Sequence, residues 1–363
     1  MRPALPSLVL PRRVLLMTET SKIRVAVIGA GKMGTYHAKL LGRTPDVDLV
    51  GVCDTNVWKA QLAAWQSNTV AIRDYKDVLS RIDAAIIAVP TPLHHEVGKA
   101  ALEAGVHLLV EKPLAGSLDE ARELLELSQT KKLVLQVGHI ERFNPAVLEA
   151  VKHIRDPRYI TVERLGPYDP RMSHIGVVMD LMIHDLDILL TLVGSEVESL
   201  EALGAHLLSG HEDIANVRVR FKTGCVADLT ASRISLGKSR KLRAFQKDSY
   251  VPLDYGNGSL KIYRKKSAAI KSLKDVEILN PKLTSVDPLR NEHNHFLDCI
   301  RHNRKPWPSG ERGVEALQLA LQISDELERY ELSGHAGSRS LIPSWAQDLG
   351  KIAKTVGKDI LRN

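Results

Sequence analysis

The sequence predicts an α/β protein of two domains, a doubly wound parallel sheet followed by a second α/β unit with an antiparallel sheet. Three observations predict it. The run Gly29-Ala30-Gly31-Lys32-Met33-Gly34 follows an apolar, strand-like segment and opens a helical one. Short apolar runs then alternate with helical stretches as far as about residue 140. Beyond about residue 143 the texture changes to short runs of alternating polarity. Period and order of this kind separate parallel from antiparallel sheets before any coordinate is known.

The elements follow in order. Residues 22–28 (Lys-Ile-Arg-Val-Ala-Val-Ile) are continuously apolar after the first positions, as in a strand covered on both faces. The glycine loop and a helix to about residue 41 come next, then a strand over 48–53 with Asp54 at its end. Residues 84–89 form another apolar run, closed by Pro90-Thr91-Pro92. A helix over 96–104 leads to the strand 106–110 (Val-His-Leu-Leu-Val). Residues 118–130 are helical and 133–137 return to strand, so the unit is a chain of βαβ crossovers. Helices are expected over 144–154 and 178–192. Strands over 197–205, 215–221, 225–232, 241–246 and 259–263 alternate as in an antiparallel sheet with one covered face. Helices near 290–300 and 311–330 are separated by Pro306-Trp307-Pro308. There is no internal repeat and no low-complexity segment.

Composition narrows the class. The 363 residues suffice for two domains. With 44% hydrophobic and 26% charged residues, the chain reads as an ordinary globular protein. Cys53, Cys225 and Cys299 are widely spaced and contain no CxxC pair, which fits a reducing compartment, so a cytoplasmic location is expected. The net charge is +7 and the pI near 9.2. The basic residues are scattered and aromatics make up only 4%, so stacking platforms are scarce and no nucleic-acid partner is expected. An anionic small ligand, a nucleotide or a phosphorylated sugar, suits that charge better. No run approaches the roughly 20 apolar residues that span a bilayer. Residues 1–21 are expected to be disordered or to precede the true start, for which Met17 is the candidate.

The glycines carry a dinucleotide fingerprint. Gly29 permits the tight turn, Gly31 lets backbone approach a pyrophosphate, and Gly34 allows close helix–sheet packing. Lys32 and Met33 open the helix whose free N–H groups face the phosphates. Asp54 lies about 20 residues further on, where an acid accepts hydrogen bonds from a ribose. It would repel a 2′-phosphate, and the Thr55-Asn56 that follows offers no arginine to one, so NAD is expected rather than NADP.

Glu111-Lys112-Pro113 closes the strand 106–110. An alcohol that loses hydride must also lose its hydroxyl proton. A lysine beside the nicotinamide can take that proton if burial or a neighbouring cation lowers its pKa. Lys112 can alternatively act as a fixed cation beside an alkoxide, or be a plain surface lysine before a helix. Pro113 restricts its backbone. Asp180 and His184 are four residues apart and Asp187 three further, so on one helix they share a face. A carboxylate and an imidazole in so apolar a segment are costly to bury without a role. The alternatives are a general acid/base His184 positioned with Asp180, a satisfied buried pair, or a metal site. Two or three ligands from one helix fit zinc poorly, so no metal is expected. Gly138-His139-Ile140-Glu141-Arg142-Phe143-Asn144-Pro145 sits at the inferred domain junction, a natural ligand cleft. There Arg142 is expected to hold a diphosphate or position a sugar. Asn144 is assigned equally to ligand contact and to capping the next helix.

The fingerprint, Pro90-Thr91-Pro92-Leu93-His94, Glu111-Lys112-Pro113-Leu114 and Asp180…His184 occur in an order that resembles the glucose-fructose oxidoreductase / inositol dehydrogenase / rhizopine catabolism family, over roughly residues 22–330. The resemblance implies a Rossmann domain, 22–140, and an α/β domain with a large, mostly antiparallel sheet, 141–335, which binds substrate and supports a homodimer or homotetramer. It implies proton transfer by Lys112 and His184, with Asp180 assisting in the sugar site. It also implies that Glu111 contacts the nicotinamide ribose and that Thr91 and His94 line the cofactor cleft. Many members carry a glycine pair shortly before the aspartate; here Gly176-Val177-Val178-Met179 stands instead. With Glu141-Arg142-Phe143-Asn144-Pro145, this variant resembles the branch of UDP-N-acetylglucosamine 3-dehydrogenases, whose 3-keto product feeds an aminotransferase in envelope glycan or lipid A biosynthesis.

The expected activity is therefore NAD-dependent oxidation of a nucleotide sugar at C3, the proton leaving through Lys112 or His184. The rival substrates are a UDP-N-acetylglucosaminuronate, a free sugar or a cyclitol. An uronate enzyme should present an extra cation, for which Arg142, Arg164 and Arg171 are candidates. A rival of another class is a non-catalytic NAD-binding regulator. The tail 336–363 places Trp345, Leu349, Ile352, Val356 and Ile360 at helical spacing among lysines, fitting a helix docked on protein or weak peripheral contact with an anionic membrane.

Overall fold

The computed structural model describes residues 21–332. The tail 336–363 and residues 1–20 lie outside the described residues. Six parallel strands make the first sheet: β1 (Ile23–Ile28), β2 (Val47–Cys53), β3 (Ala71–Ile72), β4 (Ala84–Ile87), β5 (His107–Glu111) and β6 (Leu135–Gly138). Their order is β3-β2-β1-β4-β5-β6. The order reverses between β1 and β4, and ligands of such sheets bind outside the strand ends at that switch point. Gly29 follows β1, Ala88 follows β4, and Lys112 follows β5, so the three candidate segments meet at one rim.

Helices α1 (Lys32–Leu41), α2 (Val57–Ser67), α3 (His94–Glu103) and α4 (Leu118–Thr130) complete the crossovers. Ser117 and Glu120 form a capping box at the start of α4, which fixes where that helix begins. Segment 57–67, unassigned from sequence, is α2. Its inward face is Ala60, Ala63 and Ala64, whereas Trp58 and Trp65 are 82% and 80% exposed. The apolar signal points to solvent, so its periodicity did not mark a core face.

The second sheet has nine strands: β7 (Pro157–Leu165), β8 (Val197–Ala205), β9 (Ile214–Phe221), β10 (Val226–Ser232), β11 (Ser239–Gln246), β12 (Ser249–Asp254), β13 (Ser259–Leu260), β14 (Ile262–Lys265) and β15 (Val276–Leu279). The order is β15-β14-β12-β11-β7-β10-β9-β8, with β13 on β12. It is mostly antiparallel, as expected, but β7 and β10 run parallel in its middle. The sequence reading missed β7, β12 and β15, and the expected strand 259–263 divides into β13 and β14.

One face of this sheet is covered by α5 (Pro145–His153), α6 (Ile183–Val193) and α8 (Gly310–Leu332). Ile160, Val217, Phe221 and Leu242 from the strands meet Leu186 and Leu189 of α6 and Ile323 of α8 in one apolar core. The expected helix over 178–192 is two elements. Val178–Met182 is a π-helical turn, and α6 starts only at Ile183. The last helices do not follow the linear domain division. α7 (Pro288–His302) returns to the first sheet, where Phe296, Leu297 and Ile300 pack with Val25, Ile86 and Leu109. α8 serves both cores, with Val314 and Leu317 in one and Leu319 and Ile323 in the other.

Phe296 is 1% exposed and holds α7 on the first sheet. Phe296→Ala is expected to cost about 3–5 kcal/mol through lost burial and the cavity left behind. The urea midpoint, compared at matched m-value, checks this; an unmoved midpoint would show that α7 is not locked there.

Candidate active site

The glycine loop is built by steric necessity. Gly29 has φ +103°, and a Cβ there would meet the Ala88 carbonyl oxygen at 2.4 Å. A Cβ on Gly34 would lie 1.8 Å from the Gly29 oxygen, so α1 can approach the sheet only with glycine at that point. Gly31 is exposed and an added Cβ would meet nothing within 4 Å, which leaves an open cradle over the start of α1. No side chain caps that helix and its first turn holds no acid, so its leading N–H groups are available to an anion. Exposed Lys32 and half-buried Met33 are its first residues. Asp54 accepts from the Ala30 and Asn56 amides, each at 2.8 Å, and is thereby held at the mouth of the loop. The cradle, free helix terminus and fixed acid together fit a dinucleotide.

Lys112 stands at the next rim position. Its Nζ donates to the Asp180 carbonyl at 2.7 Å and lies 3.6 Å from Asp180 Oδ1. Both side chains are mostly buried, at 17% and 15% exposure. Burial lowers the lysine pKa and outweighs the opposing pull of Asp180 and Glu111, with Arg164 adding to the lowering. Glu111 Oε1 is bonded to His37 Nε2 at 2.7 Å, and its Oε2 accepts from the Lys112 amide at 3.3 Å. Burial works against the Glu111 charge, but the His37 bond and Lys112 hold the carboxyl below its usual value.

The expected partnership of Asp180, His184 and Asp187 on one helical face does not form. The π-helical turn carries Asp180 to Lys112, while His184, on α6, lies edge-on to His139 with ring centres 6.3 Å apart. His184 Nδ1 is buried without a partner among the described residues. Burial, then Lys112, Arg164 and His139, push the imidazole pKa well down, so His184 is neutral at neutral pH. Asp187 turns inward to Arg142.

Three expected contact residues have structural placements. Arg142 is 1% exposed, with Nε 2.5 Å and Nη2 2.7 Å from the Asp187 oxygens and its guanidinium 4.8 Å from the Trp307 ring centre. It is a core ion pair, not a cleft cation, because a charge so deep is retained only with a partner. Asn144 caps α5 by accepting from the Ala146 amide at 3.0 Å and donates to the Tyr255 carbonyl at 3.0 Å. His94 is 1% exposed, its ring nitrogens 2.8 Å from the Pro113 oxygen and 2.9 Å from the Val89 oxygen. It staples the loop after β4 to the Lys112-Pro113 segment instead of lining the cleft. Thr91, half-buried, opens the short turn before it.

Sequence reasoning missed the network beneath the site. Arg164 bridges Asp185 at 2.6 Å and Glu141 at 3.1 Å, and Tyr255 donates to Asp185. His37 and His293 meet at 2.7 Å although 256 residues apart. Only the fold brings these groups together, so spacing offered no signal. Among the described residues no group of three or more His, Cys, Asp or Glu is arranged to hold a metal ion. No helix there is long and apolar enough to cross a membrane.

A dinucleotide cradle ending on a buried lysine at the C-terminal rim of a parallel sheet defines an NAD-dependent oxidoreductase acting on CH–OH groups. The chain belongs to the GFO/IDH/MocA oxidoreductase family: residues 23–139 match its NAD-binding Rossmann fold and residues 154–247 match a C-terminal domain of the family. It is 34% identical over 313 residues to the UDP-N-acetylglucosamine 3-dehydrogenase of Acidithiobacillus ferrooxidans, covering 85% of this chain and 98% of that protein. The solved structure of that enzyme superposes with a TM-score of 0.81 over 85% of this chain and 98% of that one. The scyllo-inositol 2-dehydrogenase (NAD(+)) of Bacillus subtilis is 30% identical, covering 78% of this chain and 88% of that protein. These relatives make the protein an NAD-dependent sugar dehydrogenase.

Arg142→Met leaves Asp187 as an uncompensated buried charge, and we expect it to cost about 3–5 kcal/mol of stability. The double change Arg142→Met with Asp187→Leu should recover most of that loss in the same thermal melt. A single variant that melts like the parent but binds nucleotide sugar poorly would return Arg142 to the substrate site.

Proposed function

We propose that the protein oxidises C3 of UDP-N-acetylglucosamine, with Lys112 as the base for the hydroxyl proton. The observation that carries this is the buried lysine held by the Asp180 carbonyl at 2.7 Å, beside the cofactor cradle. NAD, when bound, supplies the hydride acceptor. Asp180 fixes the Lys112 ammonium or amine in place, and the lowered pKa brings its proton affinity nearer the working range of a general base. His184 is the weaker acceptor, since its surroundings disfavour the imidazolium, and it serves as a neutral hydrogen-bonding group in the sugar site.

The choice of UDP-N-acetylglucosamine is supported by the 34% identity to an enzyme of that name along most of both chains. The uronate alternative loses support because its expected cations are engaged. Arg142 is paired with Asp187, Arg164 with Asp185 and Glu141, and Arg171 with Asp169 at 2.6 Å. A 3-keto product is suited to transamination, which places the enzyme before an aminotransferase in envelope glycan or lipid A synthesis.

The primary test is NADH formation from UDP-N-acetylglucosamine and NAD, with hydroxylamine trapping the ketone. Lys112→Met should remove turnover by at least about 100-fold while NAD binding survives, the scale of a lost general base. Equal loss of NAD affinity would assign the lysine to cofactor binding. For the parent, kcat/KM should rise with pH as Lys112 loses its proton, inflecting below the ordinary lysine value. An inflection at the ordinary histidine value that His184→Gln removes would transfer the base role to His184.

Assembly goes with the second sheet. The face that no described helix covers carries a ladder of Tyr159, Phe245, Tyr250 and Tyr263, with successive ring centres 5.7, 4.8 and 5.7 Å apart. A homodimer or homotetramer formed there should appear in light scattering and fall to monomer in Phe245→Glu with Tyr250→Glu. A parent that is monomeric at working concentration would dismiss it.

A further inference from the structure

Glu292 sits on α7 with 0% exposure, and among the described residues neither of its carboxyl oxygens has a hydrogen-bond partner. An ionised carboxylate in that position would be left without compensation, which folded proteins avoid by neutralising the group. Its surroundings come from four elements. Glu111, at the end of β5, is the charged group acting on it directly. His37 of α1 bonds Glu111, and His293 of α7 bonds His37, both at 2.7 Å. Gln136 of β6 donates to the Glu292 backbone carbonyl at 3.3 Å, and its own side-chain oxygen is unpartnered. Arg290, the cation nearby on α7, acts on His293.

The two carboxyls are unequal. Glu111 has the His37 bond and the Lys112 amide to stabilise its charge; Glu292 has neither. Hydrogen-bond polarity agrees. If His37 donates from Nε2 to Glu111, its Nδ1 must accept from His293 Nε2–H, leaving His293 Nδ1 a lone pair, and that atom is indeed buried without a partner. In that tautomer pair both hydrogen bonds run one way, toward a single anion, Glu111.

We propose that Glu292 is a proton-holding positioning residue of the dehydrogenase: it stays a neutral carboxylic acid so that Glu111 is the only anion on that side of Lys112. This role rests on Lys112 being the base. Were Glu292 also ionised, a second buried negative charge would raise the proton affinity of Lys112, and the lysine would keep the proton it must be free to accept. Burial and then Glu111 hold the Glu292 carboxyl well above its usual range, in keeping with this arrangement.

The test is the infrared carbonyl band of a protonated carboxylic acid, followed against pH in D2O on the full-length protein without substrate. We expect a band that persists well above the pH at which surface carboxyls ionise. It should vanish in Glu292→Gln and move to lower pH in Glu111→Gln, where the like charge is gone. No such band in the parent, or one retained in Glu292→Gln, overturns the proposal. If Glu292→Gln does not fold, the Glu111→Gln shift decides alone, and an unmoved band overturns it. In turnover, Glu292→Gln, a permanently neutral mimic of the acid, should keep the inflection at which kcat/KM rises with pH in the parent; an inflection moved to lower pH would show that Glu292 carried a charge in the parent and overturns the proposal. The band is read without NAD, so failure of Lys112→Met to stop the reaction would sink the proposed base while leaving the infrared result legible.

Discussion

Buried charge at the junction of the two sheets is the constraint on which the rest of the molecule depends. Arg142 with Asp187, Arg164 with Asp185 and Glu141, and Lys112 with Asp180 all lie at or below the surface between separate elements. Each ion there is tolerable only with its partner in place, because an orphaned buried charge costs more than the pair contributes. The pairs therefore act as a register. Asp185 and Asp187 are neighbours on α6 that point to different arginines, one on the central strand β7 and one in the turn before α5. Any rotation of α6 would orphan one of them. The apolar face of that helix sets its depth on the sheet, while the ion pairs set its angle.

That angle decides which groups reach the cleft. The π-helical turn at Val178–Met182 inserts an irregular winding between the Rossmann rim and α6. A regular helix would have aligned Asp180 with His184 four residues on. The irregular one releases Asp180 to bind Lys112, and leaves His184 among Lys112, Arg164, His139 and Arg240 with no carboxylate of its own. A widened turn of this kind is a frequent mark of a working site. Here it converts what would have been an Asp–His couple into an Asp–Lys couple with a neutral histidine beside it.

The parallel sheet was legible because strands buried on both faces leave continuous apolar runs, and because the glycines are required by contacts as close as Gly34 to Gly29. Lys112 and Asp54 could be placed for the same reason: each follows a strand, β5 and β2, at the C-terminal rim of that sheet. β7 was missed although its burial alternates regularly, since Pro157 and three charged residues disguise a central strand. The misplacements of Arg142, Asn144 and His94 share one cause. Polar residues beside a cleft look alike in sequence whether they face the ligand or hold up the wall. Only the partners, Asp187, Ala146 and the Pro113 carbonyl, tell them apart. The His37–His293 contact lay beyond any local pattern, because a loop of more than two hundred residues closes it.

Lys112, the proposed base, sits between opposed influences, of which burial is the larger. Burial and Arg164 work to strip its proton, while Asp180 and Glu111 work to keep it. With burial alone, Lys112 would be a weak base unable to draw a proton from an alcohol. With two unopposed anions, it would hold its proton across the working range and serve only as a fixed cation. A base that both accepts and returns a proton needs the intermediate condition, in which neither state is much favoured. The groups that act on the lysine come from β5, β7 and the π-helical turn, none of which is supplied by the glycine cradle, and with burial their net effect is to lower its proton affinity. The cradle and the proposed base are thus built from different segments, meeting only at the rim where Glu111 and Lys112 stand side by side.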